Sequence, residues 1–346
     1  MKIKKKRKTQ LPIWAVVLLD LLLVGLILLS FAFFHHVLPA IQSEMQRQEA
    51  METTAPRETT IPETQAIVET TEATEPDTRT EWQQKFAEHF TDEVVVTENS
   101  YTSPEVSITI ETVVTGEGRS KLTYYVADIY VASIGNFTCA TANNELRYFG
   151  TQPATEIAEQ ANAILAISGD FITYQKGGFL LRNGEIYAAE HNRSSICVLY
   201  PDGTMETLVG GTYQIQDILD KNPLQIWSFG PVLLDANGQV RDHYEVSTAV
   251  GYPNPRSAIG YYEPGHYCFV VVDGRQEGHS RGMQIPELAQ VFADLGCTAA
   301  YNLDGGGTAV MLFGGEIFSR QSNGGRDLGD MLVITEAGYS LQEAGE

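Results

Sequence analysis

The sequence predicts an α+β domain, with a mostly antiparallel mixed sheet and a few inserted helices, preceded by one transmembrane helix and a disordered stalk. Three observations carry that reading. A 24-residue apolar run follows a basic cluster, a Thr/Glu/Pro-rich stretch nearly free of large apolar residues comes next, and then short β-rich runs alternate with turn dipeptides. Charge divides the chain the same way: net +5 over residues 1–40, −10 over 41–100 and −16 over 101–346. The overall balance of 23 basic and 44 acidic residues, a formal charge of −21, repels polyphosphate and excludes a nucleic-acid binder as the expected class.

Residues 1–10 are expected to be a cytoplasmic basic tail, because Lys2, Lys4, Lys5, Lys6, Arg7 and Lys8 precede the apolar run and hold that side of a membrane segment inside. Residues 11–37 are the expected anchor. At about 1.5 Å per residue the Leu11–Phe34 run reaches roughly 36 Å, enough to cross a bilayer with some tilt. A cleavable signal peptide would have a shorter apolar core and a small-x-small site, which this segment lacks. Asp20 within it costs about 3 kcal/mol, which the surrounding Leu and Val offset. Residues 38–93 form the expected extracytoplasmic stalk: Glu-Thr-Thr recurs at Glu52, Glu58 and Glu69 among Pro56, Pro62 and Pro76, a composition that cannot bury enough area to fold. Near its end Trp82, Phe86 and Phe90 have the spacing of a short amphipathic helix that packs.

The globular part divides into a β-rich segment, 94–156, and a main domain, 157–340. Val106–Val114 and Leu122–Ile134 are expected strands. Asn183-Gly184 between apolar runs is a hairpin signal, and Asp202-Gly203, Asn237-Gly238 and Gly314-Gly315 repeat the punctuation. Helices are expected over Ile157–Ala163 and Pro286–Leu295, the second opened by its proline and stopped by Gly296. Cys139, Cys197, Cys268 and Cys297 lack C-x-x-C spacing. Four cysteines allow three pairings and the spacing favours none, so buried free thiols and disulfides both stand.

Chemistry concentrates where apolar runs end in polar groups. Ala299 to Thr308 is an apolar strand followed by Asp304, Gly305, Gly306 and Gly307, whose backbone is free to turn N–H groups toward an anion. No Gly-Lys-Ser/Thr follows, so this is not a nucleotide P-loop. Ile164–Ile167 leads into Ser168-Gly169-Asp170-Phe171, Cys268–Val272 leads into Asp273-Gly274-Arg275, and Arg256 opens the run Ser257-Ala258-Ile259-Gly260. Together these offer carboxylates for acid/base work and guanidiniums able to grip phosphate in bidentate fashion. That set suits cleavage of a bond beside a phosphate. Three carboxylates also leave room for a divalent cation, although spacing singles out no metal ligands and no other cofactor is implied.

In this order, Ser168-Gly169-Asp170-Phe171, Phe229-Gly230-Pro231, Pro255 to Gly260, Asp273-Gly274-Arg275 with Ser280 to Met283, and Asn302 to Gly307 resemble the signature of the phosphodiester glycosidase family. Arg326 to Asp330 resembles its closing Arg-containing segment. The family's usual Asn-Gly-Gly/Asp-aromatic-aromatic stretch is here Ser168 to Ile172. The resemblance implies hydrolysis of a sugar-1-phosphate diester at the glycosidic C–O bond, in a bacterial membrane-anchored member acting on phosphate-linked envelope or exopolysaccharide glycans. It further implies Asp304, Asp170 and Asp273 as catalytic carboxylates. Arg256 and Arg275, with Gly305, Gly306, Gly307, Thr308 and Ser280, become the substrate and phosphate ligands, and His279 and Glu277 the alternative acid/base groups. A non-catalytic glycan-phosphate binding module and a structural envelope protein are the competing classes; several carboxylates beside a phosphate site favour the enzyme.

Overall fold

Apolar side chains recurring every second residue organise the structure, a computed structural model that describes residues 79–145, 150–171, 178–190 and 194–336. The expected tail, the expected anchor and residues 38–78 of the expected stalk lie outside the described residues. Among the described residues no helix is long and apolar enough to cross a membrane.

In chain order the strands are β1 (Val95–Val96), β2 (Ser100–Thr102), β3 (Val106–Thr115), β4 (Leu122–Val131), β5 (Phe137–Thr141), β6 (Leu165–Ser168), β7 (Gly178–Arg182), β8 (Glu185–Glu190) and β9 (Ile196–Leu199). They continue as β10 (Met205–Leu208), β11 (Gln225–Trp227), β12 (Arg256–Glu263), β13 (His266–Val272), β14 (Ala299–Asn302), β15 (Met311–Phe313), β16 (Glu316–Ile317) and β17 (Asp330–Ile334). Three sheets result, ordered β1-β2-β3-β4-β13-β12-β14, β10-β9-β11-β7-β8 and β16-β15-β6-β17-β5. The strand pairings among the described residues are antiparallel throughout. The helices are α1 (Glu81–Lys85), α2 (Ala154–Gln160), α3 (Ile215–Leu219), α4 (Thr248–Gly251) and α5 (Ile285–Asp294).

Strand β13 shows how the seven-stranded sheet is buried on both faces. Tyr267, Phe269 and Val271 enter the central core with Phe137, Leu165, Trp227 and Tyr301, while Cys268, Val270 and Val272 meet Leu288, Ala289 and Phe292 of α5. Successive residues point to opposite faces, so a strand covered on both sides reads as a continuous apolar run. Helix α5 starts where its signals place it: Gln284 forms a capping box with Glu287, Pro286 sits in the first turn, and Gly296 follows at φ +81°. Helix α2 begins three residues before the expected Ile157. Pro153 precedes its first turn, and Asn162, at φ 49°, ends it.

Residues 79–93 pack on the domain. Thr80 caps α1 and its hydroxyl donates to the Ala132 carbonyl at 2.8 Å; Phe86 is buried edge-on against Tyr130. The Asn183-Gly184 hairpin forms as expected, with both residues at positive φ between β7 and β8.

Candidate active site

The ends of β6, β12, β13 and β14 bring the polar residues together. Ser168 closes β6 and Asp304 lies two residues beyond β14. The Asp304 N–H donates to the Gly169 carbonyl at 2.9 Å, the Ser168 hydroxyl reaches the Asp304 carbonyl at 3.2 Å, and Ser168 Oγ and Ser257 Oγ are 2.6 Å apart. These bonds fasten a five-stranded sheet to the seven-stranded one directly beneath the candidate acid. Ser168 stands where the family usually carries Asn, and it serves here as that fastening.

Asp304 is the carboxylate best suited to proton transfer. Its side chain keeps 11% of its surface exposed. Oδ2 lies 2.9 Å from the Thr308 hydroxyl and 3.1 Å from Arg326 Nη2. Burial raises its pKa to about 6, against the pull of the Thr308 hydroxyl, the Arg326 charge and the Gly305 N–H; nearby Asp170 adds to the rise. Such a group is protonated in mildly acidic solution and can exchange its proton near neutrality.

The other two expected catalytic carboxylates carry more partners than Asp304. Asp170 accepts the backbone N–H groups of Ser228 and Phe229 at 2.8 and 3.1 Å, and Arg182 Nη2 at 3.0 Å. Arg182, wholly buried, also binds Asp330 at 2.8 Å and donates to the Leu181 and Ile226 carbonyls. Burial alone would lower the Arg182 pKa, but Asp330 and Asp170 outweigh it and keep the guanidinium charged. Asp273 accepts from the Tyr125 hydroxyl at 2.9 Å and the Arg320 N–H at 2.9 Å, and pairs with His279 Nε2 at 2.7 Å. These bonds tie Asp170 to β7 and the Ser228–Phe229 turn, and Asp273 to β4 and the His279 loop. Glu277 is exposed on the same loop as His279.

The phosphate ligands divide in the same manner. Arg256, 3% exposed, donates to the Met283, Val250 and Tyr252 carbonyls at 3.0, 2.6 and 2.8 Å. Burial, then the like charge of Arg275, lowers its pKa to about 10. Its bonds staple the loops at Val250, Tyr252 and Met283 to the start of β12. Ser280 is 1% exposed and its hydroxyl donates to the Asp273 carbonyl at 2.6 Å. Arg275 is exposed, held through Asn254 Oδ1 at 2.6 Å, and lies over Gly306. Its own φ of 60° is uncommon for a side chain other than Gly or Asn.

Of the glycines in the expected nest, Gly306 has its N–H already engaged. The Gly306 N–H donates to the Pro255 carbonyl at 2.9 Å, and the Thr308 N–H to the Gly305 carbonyl. Glycine is needed for close approach instead. A Cβ on Gly305 would sit 2.5 Å from the Pro255 carbonyl oxygen, and Gly306 has φ +68° with Arg275 directly over it. Thr308 turns inward to Asp304 rather than outward to a ligand.

Asp304, Thr308, Arg326, Asp170 and Phe171 line a crevice of about 10 Å³. Phe171 is also in the wall of a cleft of about 900 Å³ bounded by Phe229, Gly230, Pro231, Arg241, His243 and Glu245. The larger space is of substrate size and the smaller holds the acid. Sequence reading gave no role to two contributors: Arg182, a charge at the end of an apolar strand, and Arg326, noted only within the closing Arg-containing segment, whose guanidinium lies 5.3 Å over the Phe171 ring beside Asp304. Among the described residues no three His, Cys, Asp or Glu side chains converge to hold a metal ion. The donors already on Asp170 and Asp273 leave the divalent-cation option without geometric support.

A sequence profile of phosphodiester glycosidases matches residues 161–335, half of the chain. The chain belongs to the phosphodiester glycosidase family. Asp304, Arg326 and Asp330 all fall inside the matched region of this glycosidase domain. Human N-acetylglucosamine-1-phosphodiester alpha-N-acetylglucosaminidase is 28% identical over 189 residues, covering 49% of this chain and 35% of its own length. The SPbeta prophage-derived uncharacterized protein YomE of Bacillus subtilis (strain 168) is 26% identical over 198 residues, 54% of this chain and 31% of its own. The chain thus spans about a third of the length of these curated relatives. The solved catalytic domain of the zebrafish N-acetylglucosamine-1-phosphodiester alpha-N-acetylglucosaminidase, auto-inhibited by its pro-peptide, superposes with a TM-score of 0.56 at 20% identity, covering 70% of this chain and 88% of that one. That likeness extends the common fold beyond the profile match.

Proposed function

We propose that this phosphodiester glycosidase hydrolyses the glycosidic C–O bond of sugar-1-phosphate diesters, with Asp304 as the general acid. The carrying observation is the Asp304 carboxyl, buried and raised to about 6 in a crevice that shares Phe171 with a substrate-sized cleft, with Arg326 against it. In this reading the protonated acid gives its proton to the bridging oxygen as the anomeric C–O bond breaks, so phosphomonoester leaves with that oxygen. Arg326 and Arg275 hold the phosphate charge, because guanidinium forks match its oxygens. Water completes the sugar. Asp170, Asp273, Arg256 and Ser280 hold the surrounding loops in place, which is what a site needs for reproducible geometry.

The substrate class we propose is phosphate-linked glycan of the cell envelope or exopolysaccharide, reached from the outer side of the membrane. Support for that placement is the basic cluster before the apolar run at residues 11–37 and the Thr/Glu/Pro stretch after it. The test is turnover of a panel of sugar-1-phosphate diesters by the full chain and by its Asp304→Asn variant. Free sugar from the wild type and none from the variant is the expected result. Saturable binding without turnover by the wild type would favour a glycan-binding module instead.

A further inference from the structure

Two of the four buried cysteines sit face to face. Cys268, on β13, and Cys297, between α5 and β14, have their Sγ atoms 3.5 Å apart and are 0% and 2% exposed. The facing residue on β12 is Gly260, paired with Cys268 in the sheet register. A Cβ there would lie 2.6 Å from one sulfur and 2.8 Å from the other. Gly260 therefore keeps clear the volume in which the two sulfurs meet. A disulfide bond is about 2.05 Å long, so bonding brings the sulfurs roughly 1.5 Å closer together.

We propose that Cys268 and Cys297 are the disulfide-forming pair of this protein, and that their bond clasps the segment carrying Asp273, Arg275 and His279. Of the readings that spacing left open, this combines one disulfide with two buried thiols, Cys139 and Cys197. The 28 residues between the two cysteines run from β13 through the Arg275 loop and α5 to the start of β14. Joining the ends of that segment restricts the unfolded chain and resists opening of the loop that carries Arg275 over Gly306. The oxidant is a disulfide-bearing thiol exchanger, such as glutathione disulfide or an oxidoreductase disulfide. One cysteine thiolate attacks it and expels a thiol, the second displaces the other thiol, and two protein thiols plus one disulfide become one protein disulfide plus two thiols. Burial pushes the Cys268 thiol well above its ordinary pKa, so exchange proceeds during folding or local opening.

The inference does not depend on which bond the enzyme cleaves, and its test needs no substrate. The full chain is refolded in glutathione disulfide, alkylated in denaturant, and mapped by mass spectrometry. Two alkylated thiols, at Cys139 and Cys197, and one linked Cys268–Cys297 peptide are expected. The thermal midpoint should fall on the order of 10 °C when the pair is reduced, and the Cys268→Ala/Cys297→Ala variant should not respond to reductant. Four alkylated thiols, or a linked peptide containing Cys139 or Cys197, overturns the pairing whether or not the variant folds. A linked pair whose reduction leaves the midpoint unchanged overturns the clasp.

Discussion

Replacing Asp304 by Asn should remove activity and stabilise the protein, but only where the native carboxyl is ionised. The pKa rises from 3.8 to about 6 on folding. Each pKa unit is about 1.4 kcal/mol, so the shift corresponds to about 3 kcal/mol. The folded state holds the proton more tightly than the unfolded chain. This contribution is therefore fully present below pH 3.8 and is lost as pH rises through about 6. At pH 8 the ionised, buried Asp304 destabilises the wild type by up to about 3 kcal/mol relative to a group that cannot ionise. Asn carries no such charge. At a few degrees per kcal/mol in a domain of this size, Asp304→Asn should raise the thermal midpoint by roughly 6–10 °C at pH 8 and by little at pH 4. General acid catalysis contributes about 10²–10⁴-fold, so kcat should fall by at least about 10². Scanning calorimetry at the two pH values, with diester turnover alongside, reads both effects. A midpoint difference equal at pH 4 and pH 8, or retained turnover, would refute the assignment of Asp304 as a buried acid.

Other expectations follow from individual contacts. Arg326→Gln removes the positive charge that pulls the Asp304 pKa down, so the fall in kcat/KM with rising pH should move above pH 6; an unmoved profile in rate measurements from pH 4 to 9 would separate the two residues. Arg182→Met strands Asp170 and Asp330 in the core and should cost about 3–5 kcal/mol in urea unfolding. Gly305→Ala drives a Cβ to 2.5 Å from the Pro255 carbonyl and should disable the site, whereas at Gly307 the added Cβ meets Arg326 at an ordinary 3.5 Å and turnover should survive. Equal losses in both variants would show that the glycines act through something other than space. Arg275→Lys keeps the charge but loses the planar fork, so KM for the diester should rise more than kcat falls.

Local signals carried much of the fold. Asn183-Gly184 and Gly314-Gly315 turn the chain because they supply positive φ, and Pro286 with Gly296 brackets a helix because one cannot donate and the other can adopt a left-handed end. Continuous apolar runs marked β12, β13 and β14, and the polar residues at their ends marked the site. What the chain order does not reveal is which donors a polar group meets in space. Asp170, Asp273 and Asp304 look alike in sequence, each an acid at the end of an apolar strand. Only the folded arrangement shows that Asp170 is taken by Arg182 and two backbone N–H groups, and Asp273 by Tyr125, Arg320 and His279. Arg256 beside an apolar run likewise gives no hint in sequence of its three carbonyl partners. The same limit hid the Cys268–Cys297 contact, since α5 and the Arg275 loop separate the two in the chain.

The measurement that bears most directly on the central claim is the position of isotope from labelled water after diester hydrolysis by the full chain. Cleavage of the glycosidic C–O bond places the label in the anomeric hydroxyl of the released sugar and leaves the phosphate unlabelled. Label in the phosphate would mean attack at phosphorus and would contradict the account.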